Sequence, residues 1–316
     1  MVAAWLLSYH VNQPRQAEVF HRNFQVQPVN MNPKHHAGGY ADFAFVQHVY
    51  DHLPAAKARQ DINSYVEMAK DCGGAVLELA AGTGRIALPT ARAGVPITAL
   101  DVSHFMLGAF RDSLNHESEE VKARVRLVEA DMRQFELGAH YELVTIPFYS
   151  FQHLTDSADQ LACLRACHRH LSDSGRLVIN VTNPSLPRIL SDKSFEEIQG
   201  EPEFSLPDGR KVIRKIRDTK KDLVNQVITS EFIYLISHPD GRQERLVHEL
   251  QMRFAFKNEI EHLLARAGFV IDAMYEDFQK TPYGTARSIN EMGWSAGELL
   301  VVAKKQTNQT TGLTSL

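Results

Sequence analysis

An α/β fold built on an open, doubly wound sheet of seven strands is predicted by three features of the sequence. Short apolar runs alternate with amphipathic segments from Ala75 onward, a glycine-rich turn follows the first run, and acidic residues close the second and third. The strand candidates are Val76–Ala80, Pro96–Asp101, Val125–Ala130, Glu142–Pro147 and Arg176–Val181, with Phe269–Tyr275 and Glu298–Ala303 completing the set. Each has the length of a strand buried on both faces. Between them, Asp159–Leu171 carries Leu161, Leu164, Cys167 and Leu171 on one helical stripe. Lys257–Ala267 is a further helix, closed by Gly268 in the usual cap position.

The alternation is interrupted after Asn183-Pro184. Lys211–Asp218, Leu223–Ser237 and Glu244–Phe256 read as strands rich in Val, Ile, Phe and Tyr, and Pro239-Asp240-Gly241 is a turn signal between the last two. The core is therefore expected to be discontinuous, 43–183 and 257–305, with an inserted antiparallel β subdomain at 184–256 that serves as a substrate roof or a dimer contact. Upstream, Phe43 to about Lys70 has a helical pattern broken near Pro54. Residues 1–42 are polar and aromatic without a clean period and read as an arm or cap; 306–316 read as a disordered tail.

Bulk properties narrow the function. The 316 residues are 44% hydrophobic and 23% charged, ordinary for a globular protein with a sizeable core. A formal net charge of −4 offers no global field for nucleic acid or an anionic membrane, so neither partner is expected. Three cysteines are too few for a disulfide framework and fit a reducing compartment. No apolar run reaches the roughly 20 residues that span a bilayer, and the apolar start Met1–Leu7 lacks a basic lead. A cytoplasmic protein is the expectation.

The segment Val76-Leu77-Glu78-Leu79-Ala80-Ala81-Gly82-Thr83-Gly84-Arg85-Ile86 runs a strand through two glycines into a helix. Glycines there let the backbone turn sharply and approach a ligand, with helix amides facing it. Gly82–Ala87 also fits the relaxed dinucleotide fingerprint, so the glycines alone do not choose a cofactor. Glu78 does, because a carboxylate inside that strand repels a pyrophosphate and suits a ligand carrying an ammonium. Asp101, 19 residues after Gly82, has the reach to grip ribose hydroxyls, and Asp131 offers an edge for an adenine amino group.

Taken in order, Glu78–Arg85, Asp101-Val102-Ser103 and Ala130-Asp131-Met132 resemble the successive motifs of class I S-adenosylmethionine-dependent methyltransferases, which have a Rossmann-like fold. Ile146-Pro147-Phe148-Tyr149-Ser150-Phe151-Gln152-His153-Leu154 resembles the fourth-strand motif of their small-molecule branch, which commonly has Asn at the position of Tyr149. The likeness extends from about Phe43 to Lys304. It implies that S-adenosylmethionine is the cofactor and S-adenosylhomocysteine the product. Gly82 and Gly84, beside Ala80, line the methionine part; Arg85 meets its carboxylate and Glu78 its ammonium. Asp101 holds the ribose, Val102 and Met106 pack near the adenine, and Ala130, Asp131 and Met132 meet its edge. Pro147 borders the pocket and Tyr50 closes over it.

A sulfonium already carries its leaving group, so positioning of the acceptor supplies most of the catalysis, roughly 7–11 kcal/mol, and no metal is required. A general base adds about 10²–10⁴-fold where the acceptor must lose a proton. His153, just beyond the fourth strand, is the base candidate, against the alternative that it caps the following helix; Tyr149 and Phe148 are candidates for an aromatic wall.

The remaining signals read blandly. Cys163, Cys167 and His170 share a helix face, with metal ligation less favoured than ordinary burial. His35-His36 read as a solvated loop. The stripe Arg210-Lys211, Arg214-Lys215, Arg217 reads as a solvated strand face in preference to a steering surface for an acidic substrate. Asn180 and Asn308 head glycosylation sequons. The function expected is methyl transfer to an N or O atom of a small-molecule metabolite, with a homodimer left open. The rivals are an NAD(P)-dependent oxidoreductase and a catalytically silent cofactor-binding partner protein.

Overall fold

In the computed structural model, residues 25–26, 39–192, 195–284 and 297–306 are described. His35-His36, the sequon at Asn308 and nearly all of the expected arm and tail lie outside them. The chain opens with β1 (Gln25–Val26), α1 (Val46–Val49), α2 (Pro54–Ala58) and α3 (Ile62–Asp71). The single helical pattern upstream of the core thus divides into three helices. Pro54 is the physical reason for the first break: it starts α2 and forces the preceding Leu53 out of the helical region, at ψ 124°.

The core follows as β2 (Val76–Leu79), α4 (Ala87–Arg92), β3 (Ile97–Asp101), α5 (His104–Asn115), α6 (Glu119–Lys122), β4 (Val125–Glu129), β5 (Tyr141–Ile146), α7 (Ser157–His170) and β6 (Leu171–Thr182). After α8 (Leu186–Leu190) come β7 (Ile198–Gln199), β8 (Phe204–Ser205), β9 (Lys211–Asp222), β10 (Val227–Ser237) and β11 (Gln243–Arg253). The core closes with α9 (Lys257–Arg266), β12 (Phe269–Tyr275) and β13 (Glu298–Lys305).

The seven core strands form one sheet in the order β12-β13-β6-β5-β2-β3-β4. Strands β2 to β6 are parallel, and β13 runs antiparallel to both β6 and β12. The chain starts at β2, winds outward through β3 and β4, then returns to β5 on the other flank of β2. That reversal opens a crevice at the carboxyl ends of β2 and β5, where ligands bind in such sheets. Leu77 and Leu79 enter one apolar cluster with Val144 and Ile146, whereas Val76 enters the cluster on the opposite face with Ile97 and Ala99. All four positions of β2 are buried, Glu78 included.

The strand ends differ from expectation where turns intrude. β10 begins at Val227 instead of Leu223, because Asp222 accepts the Asn225 amide and Gln226 takes a left-handed φ of 58°. β6 begins five residues before Arg176, across a register shift opposite Tyr141 and Leu143. β11 stops at Arg253, and the Phe256 amide opens α9 by donating to Glu259. β7 and β8, of two residues each, are too short to show a period.

The insertion supplies most of a second sheet, β1-β11-β10-β9-β7 with β8 also on β9. Helix α1 is wedged between this sheet and α5: Phe43, Val46 and Val49 bury against Met106 on one side and Val212, Tyr234 and Ile236 on the other. The second sheet thereby holds the segment around Tyr40 and Tyr50 over the crevice. Its basic stripe is ion-paired throughout, with Lys211 exposed and the others half-buried. Arg210 pairs with Asp208, Lys211 with Glu203, Arg214 with Glu201, and Lys215 and Arg217 with Glu197. Among the described residues no helix is long and apolar enough to cross a membrane.

Candidate active site

The crevice is a cleft floored by the glycine loop and roofed by Gly39, Tyr40, Ala41 and Tyr50. Its shape comes from backbone that few residues adopt. Ala80 and Gly82 have φ of 55° and 58°, which folds the loop back over the end of β2. Asp101 then braces it: one carboxylate oxygen accepts the Gly82 amide and the other the Ser103 amide, both at 2.8 Å. Each oxygen keeps a second lone pair for a hydroxyl. Thr83 donates to Asp51 at 2.6 Å, tying the loop to the turn that carries Tyr50.

Glu78, Ala80, Gly82 and Arg85 all line this cleft, as do Asp101, Val102 and Met106 on its second wall and Met132 and Pro147 beyond. Glu78 is 2% exposed, and its Oε2 has no hydrogen-bond partner among the described residues. Burial pushes its carboxyl up to about 8, against the pull of Arg85. An orphaned buried carboxylate is costly, by roughly 1–3 kcal/mol or more, unless a donor arrives. A ligand ammonium is such a donor, so this residue set fits the amino-acid end of adenosylmethionine. Arg85 is pinned beside it by a two-pronged contact with Asp61, at 2.7 and 2.8 Å. Burial opposes the charge on Asp61, yet Arg85 and Arg59 hold its carboxyl below the usual range.

His153 also faces the cleft. Its Nδ1 lies 3.3 Å from the Gln251 carbonyl and donates to it, which leaves the Nε2 lone pair free. Burial holds the imidazole below its ordinary value, so the ring is neutral. Tyr40 meets it edge-on at 6.4 Å and meets Tyr50 at 5.8 Å, and Tyr50 lies 6.3 Å from Phe148. These rings frame the space above the glycine loop.

Four predicted site residues lie outside the lining. Tyr149 is turned away: Phe148 and Tyr149 take left-handed φ of 49° and 65°, and the Tyr149 hydroxyl donates to Glu298 at 2.6 Å. Gly84 serves packing, since a Cβ there would sit 2.5 Å from the Phe110 ring. The Asp131 carboxylate is occupied by Arg133, at 2.6–3.0 Å, and Ala130 donates its amide to the Asp101 carbonyl. Elsewhere, Cys163, Cys167 and His170 are buried in α7, with His170 bonded to the Ala166 carbonyl and the Leu137 amide. No group of three or more metal-binding side chains occurs among the described residues. Asn180 is fully buried, which rules out its sequon.

Sequence reasoning missed the network beneath the cleft: Arg59, Asp61, Asn180 and Glu298. One signal was available, because Glu298 opens an apolar strand just as Glu78 interrupts one. It also missed Gln152, buried and bonded to the Arg253 carbonyl, the Thr182 amide and the Thr182 hydroxyl.

A doubly wound sheet with a cleft at its switch point, a carboxylate closing its second strand and an unpaired carboxylate in place of a phosphate cradle fits an ammonium-bearing nucleoside cofactor. Residues 76–175 match the family model of a methyltransferase domain. The cypemycin N-terminal methyltransferase of a Streptomyces species is 26% identical over 236 residues, covering 74% of this chain and 84% of that protein. Among solved structures, the CcbJ methyltransferase from Streptomyces caelestis superposes with a TM-score of 0.64 at 19% identity, over 86% of this chain and 98% of that one. CalS10, an amino pentose methyltransferase from Micromonospora echinaspora solved with S-adenosylmethionine, gives 0.58 at 23%, over 82% and 97%. Family model, relative and solved structures together support a class I S-adenosylmethionine-dependent methyltransferase.

Proposed function

We propose that this enzyme methylates an amine nitrogen of a small molecule, with His153 receiving the proton. When bound, adenosylmethionine supplies a methyl group on a sulfonium. Glu78 and Arg85 hold its amino-acid end, Asp101 the ribose, and Val102, Met106 and Met132 the adenine. Transfer from a sulfonium requires no metal.

The observation that carries the choice of nitrogen is the neutral His153 with its free Nε2. Burial makes this imidazole a weaker base than a free one, and the proton of an ammonium is far easier for such a base to receive than that of a hydroxyl. A sugar or alcohol hydroxyl is a much weaker acid than an ammonium, so the same base is poorly matched to it. Tyr40, Tyr50 and Phe148 add ring faces that favour a cationic acceptor. The name of one relative, an N-terminal methyltransferase, supports the same reading.

The test is transfer of a labelled methyl group from adenosylmethionine to amino sugars and to peptides with free N-termini, beside their hydroxyl and N-acetylated counterparts. Label is expected in the free amines alone. Comparable transfer to the hydroxyl compounds refutes the choice of nitrogen.

A further inference from the structure

We infer that Arg59, which lies outside the lining of the cleft, is the positioning residue that fixes its aromatic wall. The inference rests on reading the cleft as the cofactor and acceptor site.

Phe148 and Tyr149 are consecutive left-handed residues, each bearing a Cβ that disfavours the conformation. Such a turn persists only where contacts outside it hold it. Arg59 gathers those contacts. One Nη1 reaches the Tyr149 hydroxyl at 3.0 Å and Glu298 at 2.9 Å, Nη2 reaches Asn180 Oδ1 at 3.2 Å, and Nε donates to Asp61 at 2.8 Å. Glu298 is bonded in turn by the Tyr149 hydroxyl and by Asn180 Nδ2. The Asn180 carbonyl accepts the Tyr149 amide at 3.1 Å. The guanidinium carbon lies 4.3 Å from the centre of the Phe148 ring, stacked on it. A single planar group therefore joins the segment before α3, the turn after β5 and the strand β13.

Two consequences separate this from a merely structural ion pair. First, the ring that Arg59 supports lines the cleft, 6.3 Å from the ring of Tyr50. Second, Asp61 lies between Arg59 and Arg85, so the aromatic wall and the amino-acid end of the cofactor site share one carboxylate. The four charges Arg59, Arg85, Asp61 and Glu298 balance, which lets the unit stay buried. A lysine retains the charge but cannot make the flat, forked set of bonds or the stack.

The test compares two ligands. Sinefungin carries an amine where adenosylmethionine carries the transferable methyl, and S-adenosylhomocysteine carries nothing there. Their affinity ratio thus reads the wall at the methyl position, whereas each affinity alone also reads the rest of the site. Calorimetric Kd values are measured for the wild type, Arg59→Lys and Tyr149→Phe, each checked for a cooperative melt. The sinefungin preference is expected to fall about tenfold in Arg59→Lys, the scale of one desolvated cation–π contact. Adenosylhomocysteine affinity is expected to hold within about threefold. Tyr149→Phe, which leaves the charges in place, is expected to show a smaller fall in the same ratio. An unchanged ratio, or equal loss of both ligands, overturns the inference. If Arg59→Lys does not fold, Tyr149→Phe decides: a lowered ratio supports the inference and an unchanged one overturns it. Failure of the wild type to bind either ligand overturns the reading of the cleft itself, and the inference with it.

Discussion

Replacing Glu78 with glutamine isolates the cost of one carboxyl inside β2. In the folded apoprotein this group is pushed from the ordinary 4.5 up to about 8. At about 1.4 kcal/mol per pH unit, ionising it in place costs the fold about 5 kcal/mol relative to the unfolded chain. The folded value lies above the unfolded one, so the protein is favoured by this group below pH 4.5. That advantage is lost as pH rises from 4.5 through 8. Glu78→Gln removes the dependence and spares the buried charge. Its melting temperature should therefore draw ahead of the wild type as pH rises from 5 to 8.5, by on the order of 10 °C at the alkaline end. Binding should run the other way, weakening by about tenfold or more as a charged hydrogen bond to the cofactor ammonium is lost. At pH 7 a carboxyl near 8 is about nine-tenths protonated, and an ammonium partner requires the carboxylate. Cofactor binding to the wild type should thus release about 0.9 proton, measured by calorimetry in buffers of different ionisation enthalpy. Parallel melting curves for the two proteins, or no proton release by the wild type, would refute the assignment of Glu78 to the ammonium.

His153→Ala should lower turnover by about 10²–10⁴-fold while adenosylhomocysteine affinity, measured by calorimetry, stays unchanged. Because burial depresses the imidazole, wild-type kcat should hold down to pH 6.5 and fall only below it. His248, 4% exposed and held at about 4 by burial and by nearby His153, is favoured neutral. Its contribution is present above 6.5 and lost as pH falls toward 4, about 3 kcal/mol in all, so His248→Phe should flatten the acid limb of a thermal-melt series. Gly84→Ala forces both a φ of 84° and a Cβ 2.5 Å from Phe110, and should cost about 2–4 kcal/mol in urea titration. Gly82→Ala, whose Cβ meets only the flexible end of Met106 at 3.3 Å, should cost less stability and more cofactor affinity.

The sheet was legible in the sequence because strands buried on both faces must be apolar throughout, and the helices between them show their stripes. The second sheet was legible for a different reason: β9 and β10 carry Val, Ile, Phe and Tyr, and Pro239-Asp240-Gly241 marks the turn into β11. The helical breaks before α3 were only half legible: Pro54 announces one, but nothing local marks the extended Arg59. At the site, Glu78 and Asp101 could be read because a carboxylate in or closing an apolar strand is conspicuous. Tyr149 could not be placed from spacing, since two left-handed residues reverse the direction that strand alternation would give its ring. Arg59, Asp61 and Glu298 come from positions up to 239 residues apart, so only the folded chain reveals their charge balance. Gly84 looked like its neighbour Gly82 in sequence; the ring of Phe110 against it distinguishes them.

The loop bearing His153 is stitched to the inserted sheet at two points, His153 to the carbonyl of residue 251 and Gln152 to that of residue 253. Both acceptors belong to the main chain, so any side chain at those two positions preserves the attachment. The loop bearing His153 therefore reads the path of the inserted strand and ignores its spelling. The side chains of that strand can be rewritten by mutation or by design without loosening the hold on His153.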